Sequence, residues 1–263
     1  MNKAYLLIIC LLLTSFTGCI EVSDLEEENT DEIKDETNNT VDETNNTVDE
    51  TNNTVECELV PYGHCSGERL RDLSGMNLTG IDLSYADLYS ADFSNADLTN
   101  ANLYGADLEF ADLTGANLNN ADLIDAYLYF AYLTNASLTN ADLNGAYLYR
   151  ADLEYADLTG ANLNNADLIN ADLEYADLTN ANLYGANLYY ADLRHADLTN
   201  ADLTNANLTN ANLYGANLYY VSLTGADLTN VHATYLQECP AQLPDEWQCV
   251  GTFSMPFPRS IQG

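Results

Sequence analysis

Aspartate stands directly before leucine again and again in this chain, in steps of five residues from Asp72–Leu73 to Asp227–Leu228. Carboxylates placed so regularly could hold a hard cation such as calcium through oxygen ligands. They could also disturb one another's protonation, as neighbouring like charges do. Other reactive groups are sparse. Histidine occurs only at His64, His195 and His232, and no serine, cysteine or carboxylate arrangement of a catalytic type accompanies any of them. The chain is therefore read as non-enzymatic, with no catalytic residue, no cofactor and no dedicated metal site. Four of its cysteines flank the repetitive region, Cys57 and Cys65 before it and Cys239 and Cys249 after it.

The element that carries the aspartates has period five. Leucine fills every fifth position from Leu73 to Leu228, 32 centres in all, with Phe93 the one exception. Alanine lies two residues earlier in 27 consecutive units, Ala86 to Ala216. A helix does not fit, because five residues advance about 500° and the leucines would drift around the axis. A plain strand does not fit, because its period is two. Ala and Leu share one strand face as i and i+2. The phase then slips by one residue per unit, so the chain must bend at every unit. Of the 32 closing residues, 9 are Gly and 12 are Asn, the residues that accept the positive φ of a type II turn. Nine others are bulky: Tyr85, Phe110, Phe130, Arg150, Tyr155, Tyr175, Tyr190, His195 and Tyr220. At some of these corners another turn type is expected.

About four near-right-angle corners close a coil of roughly 20 residues, and coils stack about 4.8 Å apart. The expected fold is all-β: a right-handed, four-sided parallel β-helix over residues 71–230, of about eight coils and roughly 40 Å in length. Leucine fills its centre. Caps are expected at 57–70 and, with the tail, at 231–263, because a solenoid exposes unpaired backbone at both ends. With the ends so far apart, disulfide geometry leaves the pairs Cys57–Cys65 and Cys239–Cys249. A metal site at Cys57, His64 and Cys65 is the minor alternative.

The 20-residue register also places surface residues. Asp72, Asp92 and Asp112 would form one ladder, and Asp152, Asp172 and Asp192 would extend it. Raised carboxyl pKa values or bound calcium could relieve the repulsion. The reading adopted is plainer: a solvated rim that hydrogen-bonds local backbone. The same register sets Tyr127 beside Tyr147, Tyr129 beside Tyr149 and Phe130 beside Arg150, with Tyr132 next to them. Such a stripe can mark a surface for a protein or glycan partner. Stacked aromatics also stabilise neighbouring coils, as cross-strand pairs do. The segment 109–125 recurs at 154–170, an offset of 45 that moves every surface residue to a different face. That pattern preserves the fold rather than one site.

Residues 1–18 read as a signal peptide, with Lys3 before the apolar run "AYLLIICLLL", which is too short for a typical membrane span. The following "FTGC" resembles the lipobox of prokaryotic lipoproteins, although Phe16 stands where that family usually has Leu. The resemblance implies a lipid on Cys19, a membrane anchor and an exported product at the cell membrane or cell surface. Residues 19–56 form an acidic linker expected to be disordered, with "DETNNTV" three times in tandem. Its N-N-T sequons make Asn38, Asn45 and Asn52 candidate glycosylation sites; a plain acidic spacer is the alternative. The formal net charge of −34 argues against direct nucleic-acid binding.

The run "ADLTNANLYGADL" resembles the A(D/N)LXX pattern of the pentapeptide-repeat family, over residues 71–230 and on into "VHATY". The resemblance implies a right-handed quadrilateral β-helix. It also brings an alternative function. Some quinolone-resistance members resemble duplex DNA in width and charge and bind topoisomerases, which the acidity of this chain would suit. The export signal favours an envelope role instead: a lipid-anchored rod that is structural, adhesive or engaged with an unidentified protein or glycan.

Overall fold

A computed structural model describes residues 72–250 and 259–263, all within the unit Val41–Gly263. Each residue before a central Leu pairs in parallel with the residue 20 positions later, from Asp72↔Asp92 to Asn212↔His232. The chain is thus a parallel β-helix with a 20-residue coil. Its four faces are columns of single-residue bridges. The register continues five residues past Asn230, through His232 and the corner at Tyr235.

The repeat follows from where the five N–H groups of one unit go, taking Asp72–Met76 and its neighbours. Leu73 N–H donates to Asp92 O (2.8 Å) and Gly75 N–H to Ser94 O (2.8 Å), both one coil on. Met76 N–H closes the turn on Leu73 O (3.2 Å). At the equivalent of Asp72 in the next coil but one unit on, Asp97 N–H donates back to Met76 O (2.8 Å). The first turn residue, Ser74, has no such backbone partner. The Asp72 side chain supplies it, with Oδ1 3.2 Å from Ser74 N. All five donors are then satisfied, as a chain running past a dry core requires.

Every corner from Gly75 to Tyr235 has positive φ at its third residue, including the bulky ones: Tyr85 at 56°, Arg150 at 57° and Tyr155 at 60°. No second turn residue appears among the positive values, so type II geometry holds throughout. The expectation of a different turn at bulky corners is therefore corrected. Left-handed backbone costs a non-glycine residue about 1–2 kcal/mol. From Gly75 to Gly215 the same closing bond and the same ladder bonds form at each corner, and they hold the geometry whatever the side chain.

Inside, the leucines and alanines form one continuous core; Leu88, Phe93, Leu148 and Leu188 are fully buried. Each buried Leu contributes roughly 1.5–3 kcal/mol before chain entropy is counted. At the C-terminal end a small antiparallel sheet replaces the coils. It is built from β1 (Thr234–Leu236), β2 (Gln248–Val250) and β3 (Arg259–Gln262), in the order β1-β3-β2. Leu236 and Ile261 extend the core, with Leu243 and Trp247 packed on it. Cys239 and Cys249 are joined as a disulfide, Cα atoms 6.0 Å apart.

Candidate functional site

The aspartates of the repeat have a local task. Every Asp or Asn before a central leucine, from Asp72 to Asp227, accepts a hydrogen bond from the backbone N–H two residues on; examples are Asp112 Oδ1 to Thr114 N (2.9 Å) and Asn212 Oδ1 to Tyr214 N (3.1 Å). Asp and Asn are interchangeable here because both offer Oδ1. Threonine at the turn adds its hydroxyl, which draws some carboxyls below their ordinary range. At Asp97 the Thr99 hydroxyl is the main cause, followed by the Thr99 N–H. At Asp227 the Thr229 hydroxyl and N–H act likewise. At Asp157 burial pushes upward, but the bonds from Thr159 and Thr139 outweigh it.

Five positions abandon this residue choice: Tyr127, Tyr132, Ser137, Tyr147 and Ser222. At Ser137 the loss is repaired from the previous coil, since Asn119 Oδ1 accepts both Thr139 N–H (2.9 Å) and the Ser137 hydroxyl (2.7 Å). At Tyr132 no protein acceptor replaces it for Thr134 N–H among the described residues. Three of the five are tyrosines within 21 residues of one another, and they lie in the stripe singled out from the sequence.

Tyr127 and Tyr147 stack face to face, centroids 5.1 Å apart. Tyr129 does not lie on Tyr149 as the register suggested; it tilts against Tyr147 (5.8 Å) and Tyr127 (6.1 Å). Tyr149 turns its edge to Phe130 (5.5 Å), and the Arg150 guanidinium stands 5.5 Å from the Tyr149 ring centre and 5.9 Å from that of Phe130. Rotamers at a corner, not register alone, choose the partner. Phe110 extends the column on Phe130 (5.0 Å). Tyr127 and Tyr132 remain 42 % and 50 % exposed, so stacking does not hide the stripe. Tyr132 stands outside these ring contacts, on the adjoining face. A second ladder, Tyr155–Tyr175–His195 with 5.0 Å steps, was not singled out from the sequence; its signal is aromatic corners spaced by 20.

Among the described residues, the acid ladder is partly compensated by a cation at Arg194. Asp172, Glu174 and Asp192 bring carboxylate oxygens within 4.8 Å of one another. Arg194 lies among them, its Nε 2.8 Å from Asp192 Oδ2 and its terminal nitrogen on Glu174. An internal cation thus does there what calcium was invoked to do. Nearby Glu154 is pushed upward, first by burial and then by Asp172, Asp152 and Glu174. Cys19, Asn38, Asn45, Asn52, Cys57, His64 and Cys65 lie outside the described residues.

A model of pentapeptide repeats matches in 8 copies between residues 72 and 232. The chain belongs to the pentapeptide-repeat family. Among solved structures, the pentapeptide-repeat protein HetL from Nostoc sp. strain PCC 7120, involved in heterocyst differentiation regulation, is 41 % identical with a TM-score of 0.59, over 59 % of this chain and 71 % of that one. A pentapeptide-repeat protein of the Arabidopsis thaliana thylakoid lumen is 31 % identical over 43 % of this chain and 68 % of that one, TM-score 0.27. QnrB1, a plasmid-mediated fluoroquinolone resistance protein, is 20 % identical over 65 % and 90 %, TM-score 0.34. No curated protein matches the chain. As in its pentapeptide-repeat relatives, the solenoid is a right-handed β-helix.

Proposed function

We propose that this pentapeptide-repeat protein is a non-catalytic interaction scaffold of the cell envelope, exported and anchored through lipid on Cys19. One observation carries the interaction reading. At Tyr127, Tyr132 and Tyr147 the residue that completes the backbone hydrogen bonding of the coil gives way to a large, partly exposed ring. A departure from the fold's own preference, clustered on adjoining faces, is expected where a surface serves a partner. The FTGC motif and the segment before it support the anchor.

The test separates the two parts. Fractionation and lipid labelling of the wild type and Cys19→Ala should place the wild type in the membrane, labelled, and release the variant. A soluble, unlabelled, cytoplasmic wild type would overturn the anchor and favour the DNA-mimic alternative. For the face, the wild type should form cross-linked assemblies in cells, and the triple variant Tyr127→Asn, Tyr132→Asn, Tyr147→Asn should stay folded and anchored while losing them. Unchanged cross-linking would remove the face from the function.

A further inference from the structure

Beside the aromatic face the coils leave a groove. Its floor is the corner at Gly105, where no side chain projects. The Tyr85 ring leans over that glycine and closes one end; Tyr127 and Tyr129 close the other, and Asp107 and Glu109 stand between them. The space is about 200 Å³. Nucleotide- or drug-sized ligands take pockets of roughly 300–1,000 Å³, so one side chain or several waters fit here and a larger ligand does not.

The chemistry of the walls is of one kind. Asp107 uses Oδ1 for Glu109 N–H (3.0 Å), which leaves its second oxygen available. Neither Asp107 nor Glu109 belongs to an ion pair among the described residues. The rings offer negative faces, and a cation placed over an aromatic ring beside a carboxylate gains from both. The protein already places a cation over rings on this side: Arg150 stands over Tyr149 and Phe130, two coils on from Glu109. Burial, then the fields of Tyr147, Asp167, Tyr127 and Glu109, raise the Tyr129 hydroxyl above its usual range, so it stays neutral.

We infer that this groove receives a lysine or arginine side chain of a basic protein partner. The inference rests on the reading of the adjoining aromatic face as a contact surface, and it assigns the chemistry of the partner. Size excludes a nucleotide, and charge excludes an anionic headgroup.

The experiment titrates a fluorescein-labelled hexalysine peptide into the full chain at about 0.15 M salt, where the Debye length is roughly 8 Å and distant charges are largely screened. The groove variant is Asp107→Asn with Glu109→Gln; the amide at 107 keeps the Oδ1 acceptor, so the coil is retained. The control, Asp177→Asn with Asp202→Asn, removes the same charge from two other faces and also keeps its turn bonds. The groove variant should weaken the peptide at least about 10-fold and the control less than about 2-fold. Tyr129→Leu, with no change of charge, should weaken it about 2- to 5-fold. Equal weakening by groove and control variants, or no effect of Tyr129→Leu, would overturn the inference in favour of general attraction to an acidic chain. If the peptide fails while the tyrosine triple variant still loses its cross-links, the contact face stands and the basic partner is wrong.

Discussion

Replacing Tyr132 by Asn should stabilise the protein, although it removes a large side chain. Tyr132 pairs with Asp112 above and Asp152 below, so its backbone follows the ladder of its neighbours: Tyr132 N–H reaches Ala111 O at 2.9 Å and Leu133 N–H reaches Asp152 O at 2.6 Å. In the coils on either side, Oδ1 of Asp112 and of Asp152 lies 2.9 and 3.1 Å from the turn N–H it serves. An amide introduced at 132 inherits that geometry toward Thr134 N–H. Its NH₂ also gains an acceptor. At three of the six places where Asn follows Asp by one coil the amide donates back, as from Asn162 Nδ2 to Asp142 Oδ1 (2.9 Å) and from Asn217 Nδ2 to Asp197 Oδ1 (3.0 Å). One such bond contributes about 0.5–1.5 kcal/mol net of water. The lost ring is half exposed and makes no ring contact among the described residues, so little opposes the gain. Thermal unfolding of the full chain should therefore shift up by about 2–4 °C per kcal/mol gained. Tyr132→Asp should gain less, because the new carboxylate lies between two others about 4.8 Å away. Asn212→Ala, which deprives Tyr214 N–H of its acceptor, should shift the melt down by a similar amount. A lower melting temperature for Tyr132→Asn than for wild type would refute the account of why the repeat demands Asp or Asn.

Other outcomes follow from the same geometry. Leu148→Ala, at a fully buried centre, should cost about 2–5 kcal/mol in denaturant unfolding. Gly160→Ala places a Cβ 2.5 Å from Asn140 Oδ1 on backbone with φ +67°, and should cost about 1–3 kcal/mol; combining it with Asn140→Gly should recover the collision but not the backbone strain, which a double-mutant cycle would read as positive coupling. Asp97 and Asp227 have folded-state pKa values below their unfolded ones, so their contribution is complete above the unfolded value near pH 4 and is lost as pH falls through the depressed one. Thr99→Val with Thr229→Val should accordingly flatten the fall of stability below about pH 4 in acid titrations. Cys239→Ala with Cys249→Ala opens a short loop and should cost about 2–3 kcal/mol, seen as faster hydrogen exchange in β1 and β2 with little change around Leu148.

The sequence by itself determined the coil. A strict period of five with Ala and Leu inward, and Gly or Asn at most corners, leaves one arrangement in which both core and backbone donors are satisfied, and the pairing at 20 residues is its result. It also announced where side chains cluster, since Tyr127 and Tyr147 had to share a column. What only the tertiary structure decided are matters of side-chain direction between coils. The sequence could not say that Tyr175 and Arg150 would bend the chain in the same way as Gly160, because that conformation is imposed by ladder bonds to residues a coil away. Nor could it say that Tyr129 would turn to Tyr147 while Tyr149 turned to Phe130, that Arg194 would pair with both Asp192 and Glu174, or that a bare corner at Gly105 would open a groove between Tyr85 and Tyr129. Backbone geometry repeats along the chain and can be read from a period. Rotamers answer to neighbours that are 18 to 22 residues distant, and those neighbours differ from coil to coil.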